Sequence, residues 1–174
     1  MAKANERPVI DTMAGLAALE EDLPRVLDVL GATSIESLGW SRPSKLALHI
    51  PMKGTFSSVT DEFLLRLGFQ AYRAWPPSAQ FINPATGTYT FPQDTHHVPR
   101  LTSNECQTHT GYDRPGGGKV QLICCSATFE FYDVLHGVDA HHIWKETNTF
   151  LTTLRAIDRA MQSSYQGRFA PDGK

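Results

Sequence analysis

Between Gln70 and Pro84 the chain reads QAYRAWPPSAQFINP, and the paired prolines at its centre constrain the fold more than any other feature. Pro76 and Pro77 have no amide hydrogen to give a sheet ladder, so neither sits inside a central strand. Aromatic and β-branched residues on both sides nevertheless suit strands. The chain is therefore expected to run an apolar strand toward Tyr72, turn a rigid Trp75-Pro76-Pro77 corner, and restart as a second strand over 78–82.

Apolar residues alternate ahead of the corner. KLALHIPM places Leu46, Leu48, Ile50 and Met52 on one face, and EFLLRLGF does the same with Phe63, Leu65, Leu67 and Phe69. Consecutive segments of this kind joined by short links predict an antiparallel meander. Upstream, Leu16, Leu19, Leu23, Val26, Leu27 and Leu30 recur at helical spacing, with Pro24 starting a second helical turn or kinking the first, and Gly31 as the stop. Downstream, NPATGTYTFPQD carries the punctuation of a hairpin or long loop, and the stretch from Asn83 to Gly118 reads as mostly irregular. KVQLICC, after the turn-forming RPGGG, is a fourth apolar strand segment. Ile143, Thr147, Phe150, Leu151, Leu154, Ile157 and Met161 then mark an amphipathic helix, followed by a polar tail. The expectation is a single α+β domain over 1–174 with its core at about 10–162. About four antiparallel strands would be flanked by two helices.

The 174 residues carry a net charge of −2, without the basic excess of a nucleic-acid partner. No apolar run is long enough to span a membrane, and MAKANERPVI lacks the apolar stretch of a secretory signal, so a cytoplasmic protein is expected. The three cysteines then read as reduced thiols. Cys106-x-x-His109 has a metal-ligand spacing that His136, His141 and His142 would have to complete. No second closely spaced pair does so, and neither a metal nor another cofactor is expected. A cysteine hydrolase would take Cys124 as nucleophile with His97, His109 or His136 as base, but no local signature accompanies them. The glycines of RPGGGK lack the Walker spacing.

The order of helix, antiparallel strands, proline corner, cysteine-bearing loop and helix resembles the ubiquitin-conjugating enzyme superfamily, whose last strand follows a Tyr-Pro-x-x-Pro-Pro corner. Here Tyr72, Pro76 and Pro77 match, and Arg73 stands at the first proline. The family's His-Pro-Asn segment, its apolar-cysteine pair, and its tryptophan with a long helix are matched in order. The matching stretches are THHVPRL at 95–101, GGGKVQLICC at 116–125 and HIWKETNTFLTTLRAI at 142–157. The chain is most similar to the divergent bacterial members. That resemblance implies a ubiquitin-like protein, an adenylating activating enzyme and a target lysine as partners, a setting of antiviral defence, and transfer of the carrier through a cysteine thioester. It equally admits an inactive member that binds or scaffolds a ubiquitin-like partner.

Transthiolation needs an accessible thiol that attacks and leaves well, and a donor for the oxyanion. Cys124 has the glycine-rich approach and the Ile-Cys pair, whereas Cys106 lies ten positions after His96, the family's spacing from its histidine. Cys125 is the third candidate, and His97 belongs with them as part of the matched histidine segment. Alternation puts Cys124 with Val120 and Leu122, and Cys125 with Gln121 and Ile123. The segment HHVPRL has no asparagine, so Asn104 or backbone amides would stand in as donor. The competing reading is that all three cysteines are small core residues, since free cysteine is among the most buried types.

Overall fold

A computed structural model describes residues 9–134 and 144–171. It is an α+β fold in which two four-stranded antiparallel sheets share a core with an amphipathic helix. Helix α1 (Thr12–Val29) opens on Asp11, whose carboxylate accepts the amides of Met13 and Ala14 at 3.1 and 3.0 Å. It runs through Pro24 and ends before Gly31, which takes φ +67°. Its buried residues are Gly15, Leu19, Asp22 and Val26. A Cβ on Gly15 would stand 1.9 Å from the Phe69 carbonyl oxygen, so only glycine lets the helix approach the end of the third strand.

The first sheet holds the expected antiparallel meander of β2 (Ala47–Phe56), β3 (Val59–Gly68) and β4 (Ser78–Ile82), with β1 (Ser41–Ser44), which was not expected, pairing ahead of β2. KVQLICC, expected as the fourth strand, lies outside it. Leu48, Ile50, Met52, Phe63, Leu65, Leu67 and Phe69 are buried on one face, as their alternation requires. The strands β2 and β3 pair from Ala47↔Gly68 to Phe56↔Val59 and close through Ser57 and Ser58 alone, at φ +49° and +67°. Two consecutive left-handed residues suit Asn-Gly far better than Ser-Ser. The double change Ser57→Asn, Ser58→Gly is expected to raise stability by about 1 kcal/mol, read as a higher urea midpoint at unchanged slope. An unchanged or lower midpoint would mean that the serines make contacts worth as much as the strain they impose.

The expectation of one sheet and a long irregular loop is corrected by a second sheet, ordered β7 (Lys119–Cys124), β6 (Cys106–Asp113), β5 (Pro99–Ser103) and β8 (Tyr165–Arg168). Within 83–118 lie β5 and β6, joined by a tight turn at Asn104 and Glu105. The inward positions of β6 are Cys106, Thr108 and Thr110, small or polar, and β5 is too short to show a period, so no apolar pattern betrays them. The Thr108 hydroxyl donates to the Pro99 carbonyl at 2.6 Å and accepts the Leu101 amide at 2.9 Å, which removes the cost of its burial. The strand β7 (Lys119–Cys124) follows and pairs with β6.

The polar tail is likewise corrected, because β8 (Tyr165–Arg168) pairs with β5. Tyr165 Oη donates to Asp61 Oδ2 at 2.5 Å, Arg168 Nε donates to Asp61 Oδ1 at 2.7 Å, and the Arg168 guanidinium lies 4.3 Å from the centre of the Phe63 ring. These contacts fasten the second sheet to β3.

Helix α2 (Phe129–Asp133) is a single short turn, and α3 (Phe150–Ser163) packs against β2 of one sheet and β5 and β6 of the other. Phe150, Leu151, Leu154, Ile157 and Met161 form its buried stripe, matching the expected helix from Phe150 onward. Thr147 precedes the helix, and Ile143 lies outside the described residues. No helix among the described residues is long and apolar enough to cross a membrane.

Candidate functional site

The cysteines gather at one end of the second sheet. The β6–β7 register pairs Gln107 with Cys124 and Thr108 with Ile123, so its next step sets Cys106 across from Cys125. Alternation then divides the thiols: Cys106 and Cys125 are buried on the core face, and Cys124 is half-buried on the other face with Gln107 and His109. Asn104, exposed in the β5–β6 turn, stands at this same end.

After β7 the chain folds into a tight turn over 125–128, and hydroxyl groups hold it. The Thr128 hydroxyl lies 2.8 Å from the carbonyl oxygens of both Ile123 and Cys125, and the Thr128 amide donates to the Cys125 carbonyl at 2.9 Å. Tyr132 Oη donates to the Ser126 carbonyl at 2.9 Å, and the Thr153 hydroxyl donates to the Ala127 carbonyl at 2.6 Å. Four successive turn residues are thereby fixed by α2, α3 and their own loop.

The adjacent Cys125, together with burial, raises the Cys106 thiol. The adjacent Cys106 lowers Cys125, and the Ala127 backbone reinforces this against burial and the Glu105 charge. Burial raises the Cys124 thiol. Accessibility and activation thus fall on neighbouring residues.

His97 stands apart. It closes a short 3₁₀ turn (Thr95–His97) ahead of β5, while the cysteines lie at the far end of that strand, roughly 20 Å along the chain at 3.3 Å per residue. Burial and the His96 imidazole 3.9 Å away lower its pKa. His109 shares the outer face of β6–β7 with Cys124, but Cys106 is three positions away on the same strand and faces the core. The Cys106-x-x-His109 pair therefore cannot ligate one ion. Among the described residues no group of three or more His, Cys, Asp and Glu is placed to hold a metal. His136, His141 and His142 lie outside the described residues.

Two polar assemblies were not anticipated from the sequence. At the corner, the fully buried Asp22 of α1 accepts Tyr72 Oη at 2.5 Å and two Arg73 nitrogens, Nε at 3.0 Å and Nη2 at 2.7 Å. Tyr72 Oη also accepts the Phe150 amide that begins α3, and Trp144 Nε1 donates to the Arg73 carbonyl, both at 2.9 Å. Partial burial opposes the Arg73 charge, but its hydrogen bonds to Asp22 and Glu21 raise its pKa on balance. Burial, followed by the bond to Asp22, raises Tyr72. The Tyr72–Arg73 peptide is cis. The corner is thus a hub joining α1, β4 and α3, with Trp75 packed edge-to-face on Tyr132.

The second assembly seals the outer edge of β4, where side chains replace a fifth strand. Gln121 accepts the Phe81 amide at 2.6 Å and donates back to the Phe81 carbonyl at 2.8 Å. Glu130 accepts the Ala79 amide at 3.0 Å and the Ser78 hydroxyl at 2.5 Å, and the Phe129 amide donates to the Pro77 carbonyl at 3.0 Å. Burial pushes Glu130 up to about 7. Beside it opens a cavity of about 200 Å³, lined in part by Gln70, Gln80, Arg114 and Asp133, with an Arg114–Asp133 ion pair at 2.8 Å. Neither the cysteines nor His97 line this cavity.

Against known families, characterised proteins and solved structures the chain finds no match. Its chemistry is read from its own residues.

Proposed function

We propose that the chain is a ubiquitin-like protein conjugating enzyme that accepts its carrier on Cys124. The observation that carries this reading is the contrast among the thiols: Cys124 alone is partly exposed, at a strand end whose following turn is fixed by Thr128, Tyr132 and Thr153. The order of α1, a four-stranded meander, the Tyr72-to-Pro77 corner, Trp144 and α3 supports it, since the superfamily has that order. A fixed turn orients a nucleophile without strong activation, and an incoming thioester needs little. The Cys124 thiolate adds to the carrier's thioester carbonyl and expels the activating enzyme's thiolate. A target lysine amine then adds to the new thioester and expels Cys124. Asn104, in the exposed β5–β6 turn at the end of the sheet that carries Cys124, is assigned the role of oxyanion donor, and Gln107, directly across from Cys124 on the same face, is a second side-chain amide at this end. A cytoplasmic setting with an adenylating activating enzyme completes the reading.

An inactive scaffold for a ubiquitin-like partner is the second reading, favoured by the raised Cys124 thiol. Incubation with a ubiquitin-like carrier, its activating enzyme and ATP separates the two. The expected product is a covalent adduct removed by thiol reductant, absent or converted to a reductant-resistant oxyester in Cys124→Ser, and retained in Cys106→Ser and Cys125→Ser. Asn104→Ala should form the adduct but discharge it to lysine at least tenfold more slowly. No adduct with a carrier and activating enzyme competent with each other would establish the scaffold instead.

A further inference from the structure

We infer that Cys106 and Cys125 form a modification site, a dithiol that a hydroperoxide converts reversibly to a disulfide. The assignment rests on the sheet. Residues directly opposite in an antiparallel pair have Cα atoms about 4.5–5.5 Å apart, within the span a disulfide bridges. The register Gln107↔Cys124, carried one step further, brings Cys106 and Cys125 to such opposed positions on the same buried face. Cys124 is excluded from the pair because it faces the other side of β7.

The order of events follows from the surroundings. Cys125 is 6% exposed against 1% for Cys106, and its thiol is the one shifted down, by the adjacent Cys106 and the Ala127 backbone, so it is the member of the pair that ionises to the thiolate that meets the peroxide. That thiolate attacks the O–O bond of hydrogen peroxide, forming a sulfenic acid and releasing hydroxide. Cys106, giving up its proton to that hydroxide, then displaces a second hydroxide from the sulfenic sulfur and forms the S–S bond. Two thiols and one peroxide yield one disulfide and two waters. The bridge ties the Asn104–Glu105 turn to the end of β7, and so fixes the strand end that presents Cys124. The dithiol assignment stands whether or not Cys124 carries a thioester.

The test treats the intact chain with hydrogen peroxide, counts free thiols after unfolding, and maps tryptic peptides by mass. Two of the three thiols should be lost, with peptide 101–119 linked to peptide 120–145 at a mass two hydrogens below their sum, and both changes should be undone by dithiothreitol. Cys124→Ser should form the same link, and Cys125→Ser should not. A link that persists in Cys125→Ser, a disulfide within peptide 120–145, oxygen added without a link, or three intact thiols while a glutathione control is consumed would each overturn the assignment. The wild-type map decides even if a variant folds poorly, and its circular dichroism before treatment establishes that the chain was folded.

Discussion

Asp22→Ala is expected to lower folding stability by about 3 kcal/mol, a large share of the roughly 5–15 kcal/mol typical of a domain. The carboxylate is fully buried and receives Tyr72 Oη and two Arg73 nitrogens. Its loss leaves a hydroxyl without its acceptor and a guanidinium, one quarter exposed, without its main counter-charge. Residual solvation of Arg73 and its ion pair to Glu21 at 3.1 Å keep the cost at the lower end of the range for broken buried pairs. Tyr72→Phe strands the Phe150 amide and removes one of the two donors to Asp22 Oδ2, which keeps Arg73 Nε, and should cost about 2 kcal/mol. Because the two changes remove one shared network, Asp22→Ala with Tyr72→Phe should cost less than their sum. Urea unfolding of the four proteins measures all three quantities. Strict additivity, or a loss under about 1 kcal/mol for Asp22→Ala, would reduce the hub to ordinary packing around the prolines.

The hub is held by contacts between residues about 50 positions apart, which no local sequence pattern specifies. Leu48, Ile50, Phe63 and Leu65 announced their strands because one face is apolar and the other is not, and their alternation survives intact in the first sheet. The second sheet is built differently. Cys106, Thr108 and Thr110 point inward along β6, and Thr108 is acceptable there only through its bonds to Pro99 and Leu101, partners that no local pattern reveals. On α1 the contact stripe includes Gly15, which is there for space, and Asp22, which is there for Tyr72 and Arg73. A count of leucines therefore placed the buried face off centre. Gln121 and Glu130 act as surrogate backbone for the edge of β4, a role set by residues some 40 to 50 positions away. For the thiols, alternation did separate Cys124 from Cys125, but the pairing of Cys125 with Cys106 needed the β6–β7 register, and β6 itself was not seen.

Glu130 yields the sharpest pH signature. Its carboxyl is held at about 7 against an ordinary 4.5, chiefly because burial penalises the charged form, with Asp133 adding a smaller push and hydrogen bonds from Ser78, Ala79 and its own amide pulling back. The folded state therefore binds this proton more tightly than the unfolded chain. Between pH 4.5 and 7 the folded protein carries more protons at this site, so stability falls as pH rises across that window and levels off above it. The total is about 3 kcal/mol at 1.36 kcal/mol per pKa unit. Carboxylates such as Asp61, lowered by the Tyr165 hydrogen bond despite some burial, act with the opposite sign and at lower pH. Glu130→Gln isolates the effect. The amide oxygen can still accept the Ala79 amide and the NH₂ can donate to the Ser78 hydroxyl, so the edge of β4 stays sealed. The variant should match the wild type near pH 4, lack the decline between pH 4.5 and 7, and exceed the wild type by about 2–3 kcal/mol at pH 8. Urea midpoints taken at half-unit pH steps give both curves. Parallel curves for the two proteins would mean that Glu130 ionises in the fold as it does in the open chain, and that the seam tolerates its charge.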